Sequence, residues 1–389
     1  LLVGLPLSSP TDAASFHHLV RAHARRGELE AAWDCLARMV LAGHCPNEQC
    51  RSLFVGAAVK AQDIDAAEAW MQRMSDARVE PTALSYMMLI NACTRLSSIS
   101  RAELWLRRMT DAGFTPDIAC FNSLIHASSS QCDVDTAERW FREMGKHGIA
   151  PTVMTFTSLL DACAKSLDVE RAEKWLESMI EQGISPNVVS FSTMINACAK
   201  VGDLARAEHW HDHMREQGVQ PNAYCYSALI NACSRVGNVQ SACLWLQRAE
   251  DTGAAMDGVV YGCVINACGK VGDAERAMSV FRQMQAQGIK SHIVVCAALA
   301  RPFAYQGDWV QVERIREEME GEGIAVNDYF LYTQILAYGR AKPRQTDRAE
   351  AVFRDAIARG LRPNEQVFRV LGTAVGRTRC LQLCELSRS

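Results

Sequence analysis

VVSFSTMINACAKVGDLARAEHWHDHMREQGVQPN (residues 188–222) is one copy of a pattern that the chain repeats. AYCYSALINACSRVGNVQSACLWLQRAEDTGAAMD follows at 223–257, and VMTFTSLLDACAKSLDVERAEKWLESMIEQGISPN precedes at 153–187, each offset by 35 residues. A fixed period of this size marks a solenoid, in which each unit buries its apolar face only against its neighbours. Within the copy, Phe191, Met194, Ile195 and Cys198 fall at i, i+3, i+4 and i+7, one stripe of an α-helix. Gly202 suits the left-handed turn that ends this helix, and Asp203 can cap the next by accepting a backbone N–H. Leu204, Ala207, Trp210 and Met214 form a second stripe, and Gly218 with Pro221-Asn222 breaks the chain before the next copy. Each unit therefore reads as a helical hairpin.

The register holds along most of the chain. Trp70, Trp105, Trp140, Trp175, Trp210 and Trp245 are spaced by 35, and so are Met39, Met74, Met109, Met144, Met179 and Met214, with Met284 and Met319 in phase. Aromatic and methionine stripes of this kind are core, not cofactor contacts. Cys93, Cys163, Cys198, Cys233 and Cys268 share one helix-face position, which makes them small packing residues of a reducing compartment and not a disulfide framework. Cys380 and Cys384 lack the second ligand pair of a zinc site.

The 389 residues thus form one elongated array, not two or three globular domains. A net charge of −3 excludes a uniformly basic nucleic-acid binder, so any such site must rest on local charge placement. No apolar run is long enough to span a bilayer, so no membrane partner is expected. The chain starts at Leu1, so its N-terminus is expected to be missing or processed. The remnant 1–12 lacks the Arg-rich character of a transit peptide.

In order, the units are 13–47, 48–82, 83–117, 118–152, 153–187, 188–222, 223–257, 258–292, 293–327 and 328–364. The last is two residues longer, with the extra length expected at Ala341–Gln345. Pro302 is expected to kink or break the first helix of its unit, making 293–327 the least regular. Residues 365–389 supply a partial repeat, one helix from about Gln366 to Val375 and then a polar end that caps the stack.

Units of the form aromatic–[NST]–x–[LM]–[IL]–x–A–x–x–[KR]–x–G … A … M … G–[IV]–x–P–[ND] resemble the pentatricopeptide repeat family over residues 13–364, ten plain units. The tetratricopeptide pattern, with its period of 34 and its Trp-x-x-Leu-Gly start, is absent. The resemblance implies an all-α fold, a right-handed α-solenoid superhelix of about ten helix-turn-helix repeats. It further implies sequence-specific binding of single-stranded RNA, one base per repeat, as generally described for such repeats. The fifth and last residues of a unit would read the base. Thr157 with Asn187 and Ser192 with Asn222 match adenine pairs, Ser227 with Asp257 a guanine pair, and Asn122 with Thr152 a pyrimidine pair. The expected core is 5′-(C/U)AAG-3′. Ala119, Met154, Val189 and Tyr224 would sandwich the bases, and Tyr224 is placed to stack on one. His17 with Asn47, Ser52 with Thr82, Met87 with Asp117, Gly262 with His292, Ala297 with Asn327 and Tyr332 with Asn364 depart from the pattern. The family also implies an organellar location, plastid or mitochondrion, a role in RNA processing, stabilisation, splicing or translation, and protein partners that supply catalysis.

Charge placement gives independent support. Arg25, Lys60, Arg95, Lys165, Lys200, Arg235, Lys270 and Arg340 hold one position of their units, interrupted only by Ser130 and Tyr305. Two readings apply: compensation of the helix macrodipole, and phosphate contact that sets affinity without reading sequence. His209, His211 and His213 alternate along a second helix without the glutamate of a zinc-hydrolase motif, and an exposed polar face is expected there. No Gly-rich phosphate loop, nucleophile elbow or deaminase signature occurs, so neither catalysis nor a metal or other cofactor is expected. The competing reading of the array is a protein-binding scaffold.

Overall fold

The computed structural model describes residues 12–254 and 256–386, with side chains through 383, and these residues form twenty-two helices and no strand. They divide into two compact units, with the boundary between residues 185 and 186. In the first, the leading helices of the hairpins are α1 (Ala13–Arg25), α3 (Glu48–Lys60), α5 (Ala83–Arg95), α7 (Ile118–Ser130) and α9 (Val153–Ser166). Their partners are α2 (Leu29–Leu41), α4 (Ile64–Asp76), α6 (Ile99–Asp111), α8 (Val134–Lys146) and α10 (Val169–Glu181). In the second unit the leading helices are α11 (Val188–Val201), α13 (Ala223–Val236), α15 (Gly258–Val271), α17 (Ile293–Gln306), α19 (Asp328–Arg340) and α21 (Glu365–Val375). Their partners are α12 (Leu204–Glu216), α14 (Val239–Asp251), α16 (Ala274–Ala286), α18 (Trp309–Gly321), α20 (Thr346–Ala358) and α22 (Arg377–Leu386).

Within each unit, leading helices pack on leading helices, each partner helix packs on its own leading helix, and from α4 onward partner helices also pack on the next leading helix of the same unit. The packing follows from the stripes. Phe156, Leu159 and Cys163 in one unit, and Phe191, Met194, Ile195 and Cys198 in the other, are fully buried on leading helices. The periodic methionines are buried too, as are Trp105, Trp140, Trp210 and Trp245, whereas Trp175 is half-buried. Burial pushes the Cys93 thiol up to about 11 and those of Cys163 and Cys233 to about 12, so these are inert packing groups.

Hairpin turns are set by two residues. The first takes a left-handed conformation: Gly202, Gly237 and Gly272 have φ of 82, 77 and 81°, and Gln62, Ser97, Cys132 and Leu167 hold the same position at 58–62°. The second caps the partner helix, as when Asp203 Oδ1 accepts from Arg206 N at 3.1 Å. Partner helices are then laced to their neighbours. Trp105 donates its indole N–H to Glu68 at 2.8 Å, Trp175 to Glu138 at 3.1 Å and Trp245 to Glu208 at 3.0 Å. Arg73 pairs with Glu30 at 2.7 Å, Arg101 with Asp65 at 2.5 Å and Arg171 with Asp135 at 2.6 Å. Much of the acidic charge is thus neutralised on partner helices, away from the basic stripe.

Three expectations are corrected. Of the kink or break expected at Pro302, the break is absent, since α17 runs unbroken through it. Proline removes the bond to the carbonyl four residues back, here that of Ala298, and the preceding leading helix carries Gly269 opposite it. A Cβ at Gly269 would stand 3.1 Å from that oxygen; Ala164, Ala199 and Ser234 hold this place elsewhere. The segment after Val375 is not simply a polar end: α22 turns back, burying Cys380 and Leu383 against Leu371 and Ala374. The loop of the long repeat does fall between Arg340 and Thr346.

The third correction is His211, which is 1% exposed and not part of a polar face. Its ring packs edge-on against Trp245 at 4.7 Å, Nδ1 faces Asp212 at 3.2 Å, and Nε2 is buried without a partner. Leu176 and Leu246 occupy the equivalent positions. Burial pulls the imidazole below its ordinary range, and Arg215 and Arg248 push the same way against Asp212. The unfolded chain therefore takes up the proton first, and stability is lost as pH falls below about 6.5. His211→Leu is expected to raise stability by about 1–3 kcal/mol at neutral pH, because an unsatisfied buried polar atom disappears. The gain should widen at pH 5.5. Calorimetric melting at both values checks this, and a variant that melts below the native protein at pH 5.5 contradicts it.

Candidate nucleic-acid interface

The leading helices carry the sequence-predicted residues, and helix geometry fixes what each can offer. In the first unit, Asn122 on α7 is half-buried, and its Oδ1 accepts from Thr155 Oγ1 at 2.7 Å. Thr152, the exposed residue before α9, touches the same hydroxyl, its N–H donating at 3.1 Å and its own Oγ1 lying at 3.3 Å. The structure thus brings Asn122 and Thr152 together through Thr155, which repeat matching alone did not single out. With Oδ1 committed, the Asn122 amide is left to donate.

In the second unit, Asn187, Asn222 and Asp257 are exposed N-caps of α11, α13 and α15. Asn187 Oδ1 accepts from Ser190 N at 3.0 Å and Asn222 Oδ1 from Cys225 N at 3.1 Å. Asp257 Oδ1 accepts from Val259 N at 3.1 Å and Val260 N at 3.0 Å. Each cap consumes one oxygen. What is left differs in sign: an NH2 donor on the asparagines and a carboxylate acceptor on the aspartate. The fifth residues are equally constrained. Thr157, on α9 of the first unit, donates its hydroxyl proton to Val153 O at 2.7 Å; in the second unit Ser192 donates to Val189 O at 3.1 Å and Ser227 to Ala223 O at 2.7 Å, so each hydroxyl has only lone pairs left to offer, Thr157 and Ser227 being half-buried and Ser192 buried.

Several mismatched pairs are occupied otherwise. Thr82 is a buried cap whose Oγ1 accepts from Ser85 N at 3.2 Å, and Asn364 Nδ2 donates to Asp328 at 2.9 Å. Asn47 N donates to His17 Nε2 at 3.2 Å, so that pair meets directly.

At the second position of the leading helices, Ala119, Met154, Val189 and Tyr224 are exposed, Met154 at 67% and Tyr224 at 53%. Leu84, Val259, Val294 and Tyr329 extend the same series. The 35-residue spacing carries that signal.

All eight stripe cations are exposed, yet four have protein partners that their spacing did not reveal. Arg235 donates to Lys200 O at 2.8 Å, Lys270 to Ser234 O at 3.0 Å and Arg340 to Tyr305 O at 3.2 Å. These are carbonyls at the end of the preceding leading helix, which lack intrahelical donors. Lys165 pairs with Asp161 at 2.6 Å. Where Ser130 replaces a cation, a recess of about 400 Å³ opens between α5 and α7, lined by Asn91, Arg95, Ser97, Ser123, His126 and Ser130. Among the described residues no three His, Cys, Asp or Glu side chains gather as a metal site, and no helix is long and apolar enough to cross a membrane.

Stacked helical hairpins presenting caps, apolar side chains and cations at one repeat position each define a tandem helical-repeat protein. Family models identify which kind. The PPR repeat family model matches residues 116–165, 153–200 and 186–235; the PPR repeat model matches 14–44, 84–114, 224–253 and 259–289; and the pentatricopeptide repeat domain model matches 279–330. The chain belongs to the pentatricopeptide repeat family. No curated protein matches the sequence. Among solved structures, the pentatricopeptide repeat protein PPR10 from maize superposes with a TM-score of 0.57 at 20% identity, over 98% of this chain and 64% of that one. PPR10 in complex with an 18-nt psaJ RNA element gives 0.60 at 20% identity, over 97% and 60%. The chain thus spans less than two thirds of the length of PPR10.

Proposed function

We propose that this chain binds single-stranded RNA in a sequence-specific manner, one base per repeat along repeats 13–364. It acts by occupying a transcript, not by cleaving it, in an organelle where such occupancy governs processing, stabilisation, splicing or translation. The observation that carries the reading is the state of the N-caps. Asn187, Asn222 and Asp257 are immobilised by their caps, so donor or acceptor is aimed before any ligand arrives. Adenine offers an N1 acceptor and an N6 donor, which meet an asparagine donor and a hydroxyl acceptor. Guanine offers N1–H and N2–H, which meet aspartate. The Asn122 donor suits the O2 carbonyl that cytosine and uracil share. These pairings support a core of 5′-(C/U)AAG-3′ with weak selection on either side. The family membership and the likeness to RNA-bound PPR10 support the binding of single-stranded RNA, whatever its sequence.

Affinity should come chiefly from phosphates. Arg25, Lys60, Arg95 and Lys200 are exposed, and log K is expected to fall with log salt by about 0.7 per neutralised phosphate. Charge reversal at Lys60 and Arg95 together should weaken all RNAs by the same factor and flatten that slope by about 1.4. A titration in which one sequence suffers selectively would remove these residues from phosphate contact. A flat salt response with no preference for the core over scrambled RNA would favour a protein-binding scaffold instead.

A further inference from the structure

Near the end of the array the base readers disappear. Gly262 and Ala297 stand at the fifth position on α15 and α17, leaving nothing on which to read a base edge. A different set of side chains occupies the same face. The Arg301 guanidinium lies over the Tyr329 ring at 5.5 Å, hydrogen-bonds its hydroxyl and reaches Asn266 Oδ1 at 3.5 Å. One turn further along α17, Tyr305 holds the position that is a cation in most repeats. Arg340 returns the charge, its guanidinium lying 4.8 Å over the Tyr305 ring while it donates to Tyr305 O. Arg301 and Tyr305 are i, i+4 on one helix and so are surface neighbours. The result is a row, Tyr329–Arg301–Tyr305–Arg340, in which phenol and guanidinium planes alternate across α17 and α19. Tyr305 is 47% and Tyr329 38% exposed, so the row faces solvent and is not packed away.

We propose that this row is a stacking seat for unpaired nucleotides adjoining the decoded core, holding them without regard to base identity. Every base has a π-face, and stacking on aromatic side chains, with cation–π help from arginine, tolerates any sequence. The guanidinium edges not used internally meet phosphates. This inference rests on the RNA-binding reading and adds a second mode of recognition to it.

The test uses the full chain and RNAs carrying the core with five-nucleotide extensions on either end. The expected core runs 5′ to 3′ from repeat 118–152 to repeat 223–257, which puts the row on the 3′ side, so removing the bases of the 3′ extension, leaving abasic sugars, is expected to weaken binding roughly tenfold. Exchanging those bases among A, C, G and U should change it less than twofold by the same argument. Tyr305→Leu with Tyr329→Leu keeps bulk, and this variant should lose the abasic effect while retaining its preference for the core. The idea is overturned if the native protein binds abasic and intact extensions equally, or if it discriminates among bases there. Both outcomes are read on unmodified protein and do not depend on the variant folding. If core RNA binds and the extension is silent, only the seat is lost. If no RNA binds, the functional reading falls with it.

Discussion

Asp257→Asn is expected to move the preference at one base from guanine to adenine, weakening guanine RNA by about 1–3 kcal/mol, the scale of a well-placed polar pair on a base edge. The exchange is close to silent for folding. Asp257 caps α15 through Oδ1, with Val259 N at 3.1 Å and Val260 N at 3.0 Å, and asparagine caps as well as aspartate. Only the outward atom changes, from carboxylate oxygen to NH2, while Ser227 stays fixed by Ala223 O at 2.7 Å. The site then repeats the chemistry of Ser192 with Asn222. Competition between RNAs differing at that single base, with melting temperatures measured in parallel, is the check. An unchanged preference in a normally folded variant would remove Asp257 from recognition.

The second large effect is on the fold. Gly307→Ala should destabilise α17 and α19 by about 2–5 kcal/mol, combining a left-handed residue with overpacking. The position alone does not demand glycine. Gln62, Ser97, Cys132 and Leu167 hold it with positive φ, and a Cβ on Gly272 would meet nothing within 4 Å. At Gly307 a Cβ would stand 2.7 Å from Arg340 O and 2.9 Å from Arg340 C, backbone atoms that cannot swing aside. Gly272→Ala, by contrast, should cost only about 1–2 kcal/mol, the left-handed contribution alone. Urea unfolding of both variants decides the matter, and equal losses would mean that the helix ends separate freely.

Much of this was legible because a periodic sequence reports periodic burial. The tryptophan, methionine and cysteine stripes located both helices of a hairpin, and Gly202 with Asp203 located its turn. Atoms that meet across repeats were harder to see. That Arg235 bonds the carbonyl of Lys200, or that Thr155 joins Asn122 to Thr152, depends on neighbours some 35 residues apart whose approach no single repeat encodes. His211 misled because alternating histidines look solvated, although its position is the one where Leu176 and Leu246 face inward. Pro302 misled because the accommodating change lies on another helix, at Gly269. The caps were legible as residues but not as chemistry. Which atom remains after capping became evident only once its partner was placed.

The indole-to-carboxylate bonds of Trp105, Trp175 and Trp245 each reach back 37 residues, to Glu68, Glu138 and Glu208. Unequal recombination that inserts or deletes a whole repeat keeps these three indoles in the register of that carboxylate position, whereas any other length shears the ladder. Such an array can lengthen or shorten in steps of one repeat and still fold. On the proposed reading, each step changes its footprint on a transcript by a single nucleotide.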